Sequence, residues 1–301
     1  MRIRSSHALI GGLLLTFASH VPALQVFTCE PEWAALVRTL VPSASVVSAT
    51  HADQDPHHIE ARPSLIAALR RADLAVCTGA SLEVGWLPML QTRAGNSVVR
   101  DGAPGMFYAA NHTDLLDAGG SADRAHGDVH PEGNPHVHLD PYRVIDIARA
   151  LAATLIKIDP SIEAETQERL KAFEADWAGH RERWTEARTL LKGRSIVVQH
   201  SAFRYLLAFL GVEAVADLEP LPGLPPTLSH LRTVLDQVSD KSPIAIIQTR
   251  YQSPQPGNWL AERTGMPLLS LPSTVTDDSE SDELPELINR LVEQIVENAS
   301  R

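Results

Sequence analysis

Short apolar, β-branched runs of three to five residues alternate along the chain with longer stretches whose apolar positions recur every three or four residues. In the first half the runs Gln25–Cys29, Ser45–Ala49, Leu74–Thr78 and Ser97–Val99 read as strands, with helical patterns at Trp33–Leu40 and Ser64–Arg71. In the second half the strands are Ser195–Val198, Ala214–Ala216, Ile244–Gln248 and Leu268–Leu271. Helices are predicted there around Ala202–Leu210, Leu228–Val238, Asn258–Thr264 and Leu284–Asn298. Strand and helix in alternation predict an α/β fold with mostly parallel sheets.

One long helical pattern divides the halves. Asp159 can cap it, Pro160 suits its first position, and Gly193 can stop it. Ile162, Leu170, Phe173, Trp177, Trp184 and Leu191 mark its apolar side. About thirty residues at 1.5 Å each span roughly 45 Å, enough for a rigid spine between two lobes. The predicted organisation is therefore a leader over 1–23, an N-terminal α/β lobe over 24–158, the spine over 159–192 and a C-terminal α/β lobe over 193–301. Residues 101–135 carry turn chemistry and no apolar period. No internal repeat and no low-complexity tract is visible.

Composition and charge narrow the function. With 301 residues, 44% of them hydrophobic, the chain can bury two cores, and a formal charge of −11 argues against nucleic acid as partner. Arg2 and Arg4, the apolar stretch from Ala8 to Phe17 and Val21-Pro22-Ala23 compose a secretion signal, which places the mature protein outside the cytoplasm, in the periplasm. The apolar stretch is far shorter than the ~20 residues of a spanning helix. Cys29 and Cys77, each at the end of a strand-like run, are predicted to pair, since adjacent parallel strands would bring them to one sheet edge. Closing that loop would stabilise by roughly 4 kcal/mol in the chain-entropy model.

Of 13 histidines, eight fall between His51 and His138. Three lie in the acidic stretch His51-Ala52-Asp53-Gln54-Asp55-Pro56-His57-His58; the others are His112, His126, His130, His136 and His138. Imidazoles interleaved with carboxylates, and no free thiolate, suit a borderline cation such as Zn²⁺. Ligands in open α/β sheets gather beyond the carboxyl ends of strands. There His57 follows one strand, His200 another, and Asp277 and Asp278 lie beyond a third, while His136 precedes a proline-started helix at Pro141. Three imidazoles and one carboxylate would fill a tetrahedral shell.

Asp55-Pro56-His57, Asn134-Pro135-His136-Val137-His138-Leu139-Asp140-Pro141 and His200-Ser201-Ala202-Phe203-Arg204-Tyr205-Leu206 resemble, in order, three motifs of the zinc- and manganese-binding solute-binding proteins of ABC transporters (cluster A-I). The resemblance covers essentially the whole mature chain. It implies a monomeric extracytoplasmic protein that captures Zn²⁺ and delivers it to a membrane permease, with no catalysis. It implies His57, His136 and His200 as metal ligands, with a fourth, carboxylate ligand after Leu268–Leu271. Many members place an Asp at that strand's end where this chain has Leu271-Pro272; the sequence looks like a zinc-type subgroup with a shifted acid, which favours Asp278 over Asp277. His200 stands where manganese members typically carry a carboxylate, and imidazole there tilts the site to zinc. His138 replaces a usual aromatic and could support the ligands or substitute for one. His112, His126 and His130 lie where zinc members carry a His-rich loop, here dilute; a weak gathering role and a plain solvated loop are both open.

A secreted zinc enzyme is the competing class, since His136-Val137-His138 is an H-x-H pair. Catalysis would need an open coordination position and a placed general base. No His-Glu-x-x-His helix or comparable signature is present, and a three-histidine, one-aspartate shell would be closed. A metal-dependent adhesin on the same fold is the third reading. The five tryptophans, Trp33, Trp86, Trp177, Trp184 and Trp259, sit in apolar patterns and are expected in the core.

Overall fold

A computed structural model describes residues 23–119, 127–277 and 282–299. Residues 1–22 of the 1–23 segment read above as a leader, His126 and Asp278 lie outside the described residues. Two four-stranded sheets are present among those residues, and every strand pair in both is parallel. The first contains β1 (Gln25–Thr28), β2 (Ser45–Ser48), β3 (Leu74–Cys77) and β4 (Met106–Tyr108), in the order β2-β1-β3-β4. The second contains β5 (Ser195–Val198), β6 (Glu213–Asp217), β7 (Ile246–Thr249) and β8 (Leu268–Leu271), in the order β6-β5-β7-β8. The two sheets thus repeat one topology, an architectural repeat that no sequence similarity between the halves displays. Each sheet reverses its winding between its first and third strands, which is where ligand crevices form in such sheets.

The strands alternate their faces between two cores, as a period of two requires. Val26, Leu74 and Val76 of the first sheet, and Ile196, Val198 and Ile247 of the second, point into one large cluster. Phe27, Ala75 and Cys77 face the other way, onto α2 (Pro63–Arg71) and α3 (Leu87–Ala94). Val197 and Ile246 likewise face α7 (Leu228–Val238) and α8 (Gln255–Thr264). Between the sheets lie α1 (Pro31–Leu40), α4 (Arg143–Ile158), the spine α5 (Glu163–Leu191), α6 (Arg204–Leu210) and α9 (Leu284–Ala299). The large cluster draws side chains from both halves, so one continuous core joins them through the spine.

The spine begins close to where the sequence places it. Asp159 caps through its side chain to Ser161 N–H, but Pro160–Ile162 forms a single 3₁₀ turn before 29 residues of α-helix. Trp177 and Trp184 pack edge to face at 5.1 Å between centroids. Their indole N–H groups donate to the Pro141 carbonyl at 2.7 Å and to Asn289 Oδ1 at 2.8 Å, so each buried polar handle is satisfied. Trp33 and Trp86 are buried as well, and Trp259 packs partly buried on the α7–α8 cluster. Ser97–Val99, which the sequence pattern presents as a strand, is a 3₁₀ turn capped by Asn96, whose side chain accepts from Val98 N–H. The fourth strand is β4 instead, inside the segment that showed no apolar period. Cys29 and Cys77 are disulfide-bonded across the adjacent ends of β1 and β3, with Cα atoms 4.8 Å apart.

Candidate metal centre

Both sheets present their carboxyl ends to one cleft, and histidines arrive there from both halves. His57 ends the 50–57 loop after β2, His136 precedes the 3₁₀ turn Val137–Leu139, and His200 lies two residues beyond β5. All three are at most 4% exposed. Ring centroids are 6.3 Å apart for His57–His136, 5.8 Å for His57–His200 and 5.6 Å for His136–His200. A fourth ring completes the group: His130 sits 5.3 Å from His57, with their Nε2 atoms 3.2 Å apart.

Each ring is held by its Nδ1. His57 Nδ1 bonds Asp55 Oδ1 at 2.7 Å, His136 Nδ1 bonds Asn134 Oδ1 at 3.0 Å, and His200 Nδ1 bonds Glu219 Oε2 at 2.9 Å. His130 Nδ1 bonds the Ala80 carbonyl at 2.9 Å. These partners accept only: two carboxylates, a carbonyl, and an amide oxygen whose own NH₂ donates to the Ser201 carbonyl. The hydrogen-bond network therefore assigns the proton to Nδ1 and, in His57, His136 and His200, turns the Nε2 lone pair of the neutral ring to the cleft. The His57 and His130 Nε2 atoms stand 3.2 Å apart. The distance matches the roughly 3.3 Å edge of a tetrahedron with metal–nitrogen bonds of ~2.0 Å. His136 Nε2 and His200 Nε2 are buried without a hydrogen-bond partner, the state of a donor atom kept for a ligand. One edge of the group, His57–His130, thus has the length a tetrahedral Zn²⁺ shell needs, and the imidazole donors suit that ion.

The supports differ in charge. Burial opposes ionisation of Asp55, but the His57 contacts outweigh it and its pKa is lowered. Burial also pulls His200 down, yet the hydrogen bond and charge of Glu219 prevail and its pKa is raised. His136, with only an amide behind it, is driven well below the ordinary imidazole value by burial and then by the neighbouring rings. Glu219 is a junction: Oε2 also accepts from Gly223 N–H at 2.8 Å, and Oε1 from Gln252 Nε2 at 2.9 Å. Asn134 joins the halves, gripping the His136 ring with one end of its amide and the segment after His200 with the other.

His130 reaches the cleft on the 127–133 segment. Its partner carbonyl belongs to the turn Gly79-Ala80-Ser81, all three residues left-handed at φ 79°, 49° and 63°. Glu83 stabilises that turn by accepting from the N–H groups of Thr78 and Gly79, while Ser81 Oγ donates to Glu132 at 2.9 Å. At the other end Asp128 N–H donates to the Pro222 carbonyl at 2.8 Å. Gly127, at φ +94°, lies so close that a Cβ there would overlap the Pro222 oxygen. The segment is thus a flap tied to both halves. His58 is exposed and 3.6 Å from Asp128, His112 stacks on Phe107, and His51 is exposed; none of them joins the four rings. His138 does not point to the group either: its Nε2 donates to the Ser273 carbonyl at 2.7 Å. Asp277 is exposed. Among the described residues the group of three whose potential ligand atoms all lie within 4.8 Å of one another is Cys29, Cys77 and Glu83, and there both sulfurs are spent in the disulfide.

The family model described as zinc-uptake complex component A, periplasmic (ZnuA), matches residues 26–298. The chain belongs to the ZnuA family. That family consists of solute-binding proteins of ABC transporters, not enzymes. Among relatives, the zinc-binding lipoprotein AdcA of Streptococcus pneumoniae is 27% identical over 257 residues, covering 80% of this chain and 48% of AdcA. The chain therefore spans about half the length of that relative. The high-affinity zinc uptake system protein ZnuA of Yersinia pestis is 21% identical over 223 residues, 70% of each chain. A crystal structure of ZnuA superposes with a TM-score of 0.76 at 19% identity, covering 92% of this chain and 99% of the other, which shows the shared fold. His130 is the site residue that motif reasoning left undecided, because its place depends on a turn fifty residues away.

Proposed function

We propose that this protein captures Zn²⁺ outside the cytoplasm, after removal of residues 1–23, and passes it to the permease of an ABC importer. His57, His136 and His200 are the proposed ligands, contributed by the lobes 24–158 and 193–301 on either side of the spine. His130 and Asp278 compete for the fourth place, and the position of the His130 ring favours His130. One observation carries the reading: imidazoles from both halves converge with every Nδ1 committed, and the His57 and His130 Nε2 atoms stand a tetrahedral edge apart. An all-nitrogen shell favours zinc over manganese, which prefers oxygen donors. The family description and the names of the relatives support the same cargo.

Calorimetry on untagged mature protein tests this. One tight Zn²⁺ per chain is expected, with Mn²⁺ far weaker; equal affinity for Mn²⁺ overturns the metal assignment. Alanine at His57, His136 or His200 is expected to weaken zinc by orders of magnitude. His130→Ala and Asp278→Ala then show which residue fills the fourth place.

A further inference from the structure

Behind the histidine group, a second set of buried polar side chains ties three distant segments together. Glu32, in the first turn of α1, is 2% exposed. Its Oε2 accepts from Thr274 Oγ1 at 2.5 Å, and its Oε1 faces His138 Nδ1 at 3.1 Å, a close contact short of good hydrogen-bond alignment. On the opposite side of the ring, His138 Nε2 donates to the Ser273 carbonyl at 2.7 Å. A carbonyl only accepts, so Nε2 carries a proton and has no lone pair for a metal. Nδ1 is turned to Glu32. Nε2 of His138 is thus committed to Ser273 and Nδ1 lies against Glu32, both away from the four-ring group, although the ring centroid is only 6.4 Å from that of His136.

We propose that Glu32, His138 and Thr274 form a latch that holds the 272–276 segment of the second half against α1 of the first, with His138 a positioning residue for the zinc site. The inference rests on the zinc reading above. The segment after β8 is buried from Pro272 through Thr276 and emerges at Asp277. Val275 is anchored in the central core, while polar contacts from the first half hold Ser273 and Thr274. The same ring is two residues from His136, so the latch ties one wall of the cleft to a ligand-bearing turn on the other. Loss of the Thr274 bond leaves the Glu32 carboxylate buried with fewer partners, and loss of the His138 bond leaves the Ser273 carbonyl without its donor; either favours escape of the segment. Release of bound zinc, which needs the edge of the cleft to loosen, should therefore quicken, while capture should not.

The test uses His138→Phe, which keeps a ring edge-on to Trp33, and Thr274→Val, which keeps the side-chain shape, with Thr274→Ser as the conservative control. Zinc association and dissociation are followed by stopped flow against a fluorescent chelator, and the thermal midpoint of the metal-free protein is recorded. Dissociation about tenfold faster in His138→Phe and Thr274→Val, with association within about twofold and Thr274→Ser restored, is the expected result. A purely structural role would lower the metal-free midpoint and leave zinc dissociation unchanged, and that pattern overturns the proposal. Loss of zinc binding in His138→Phe as complete as in His136→Ala overturns it too, because His138 would then be a ligand. Wild-type protein that fails to retain zinc overturns the zinc reading, and the latch with it.

Discussion

Glu219→Gln removes one charge and changes little else in shape. In the native protein the carboxylate accepts from His200 Nδ1, Gly223 N–H and Gln252 Nε2. A charge-assisted hydrogen bond to a ligand imidazole makes its Nε2 a better donor, and loss of such a partner weakens metal binding about 10- to 100-fold. That corresponds to about 1.4–2.7 kcal/mol. The same carboxylate raises the His200 pKa, so proton and metal both profit from it. In the metal-free protein the raised pKa means that the ion pair stabilises the fold below the unfolded imidazole value near ~6.5. That contribution is lost as pH rises through the folded value. Zinc must displace this proton from wild-type His200 at a pH where the Glu219→Gln variant has already shed it. The affinity gap between the two proteins should therefore be widest in alkaline buffer and narrow as pH falls. Competition with a chelator of known affinity from about pH 8.5 to 6 measures it. Equal affinities at the alkaline end, or a gap that widens with acid, would refute the coupling.

Two further outcomes are expected elsewhere. Replacing both Cys29 and Cys77 by Ser should lower stability by about 2–5 kcal/mol, read as a lower denaturation midpoint with zinc stoichiometry unchanged, while thiol labelling of the denatured, unreduced native chain should find no free cysteine. Gly127→Ala puts a Cβ against the Pro222 oxygen at a left-handed φ, a strain of about 1–3 kcal/mol, and should speed zinc dissociation in chelator chase without altering the disulfide.

Much of the fold was legible because its signals are local. Strand runs bounded by turn residues, proline at helix starts and the Asp159 cap need only a few neighbours to act. His57 and His200 could be singled out because strand ends mark the cleft in parallel sheets, and His136 because it precedes the proline at Pro141 that opens a helix. β4 escaped because three residues, Met106–Tyr108, sit between tight turns and owe their extension to pairing with β3. Ser97–Val99 misled for the converse reason: its valines suit a strand, but the Asn96 side chain offers the backbone a turn. His130 and His138 differ by distant partners, Ala80 in one case and Glu32 with Ser273 in the other, and no spacing encodes those.

The single apolar cluster shared by the two sheets has a mechanical consequence. Swinging the halves apart would uncover side chains from both, at about 2.5 kcal/mol for every ~100 Å² of apolar surface wetted. The 127–133 flap is held by hydrogen bonds such as those to Ala80, Ser81 and Pro222, which water can replace at small net loss. The compliant part of the molecule is therefore the rim of the cleft, and the spine behaves as a stiff backplate. An ion held in such a body would leave by peeling one edge, and a permease of the kind proposed above would need to grip the flap and could leave the backplate alone.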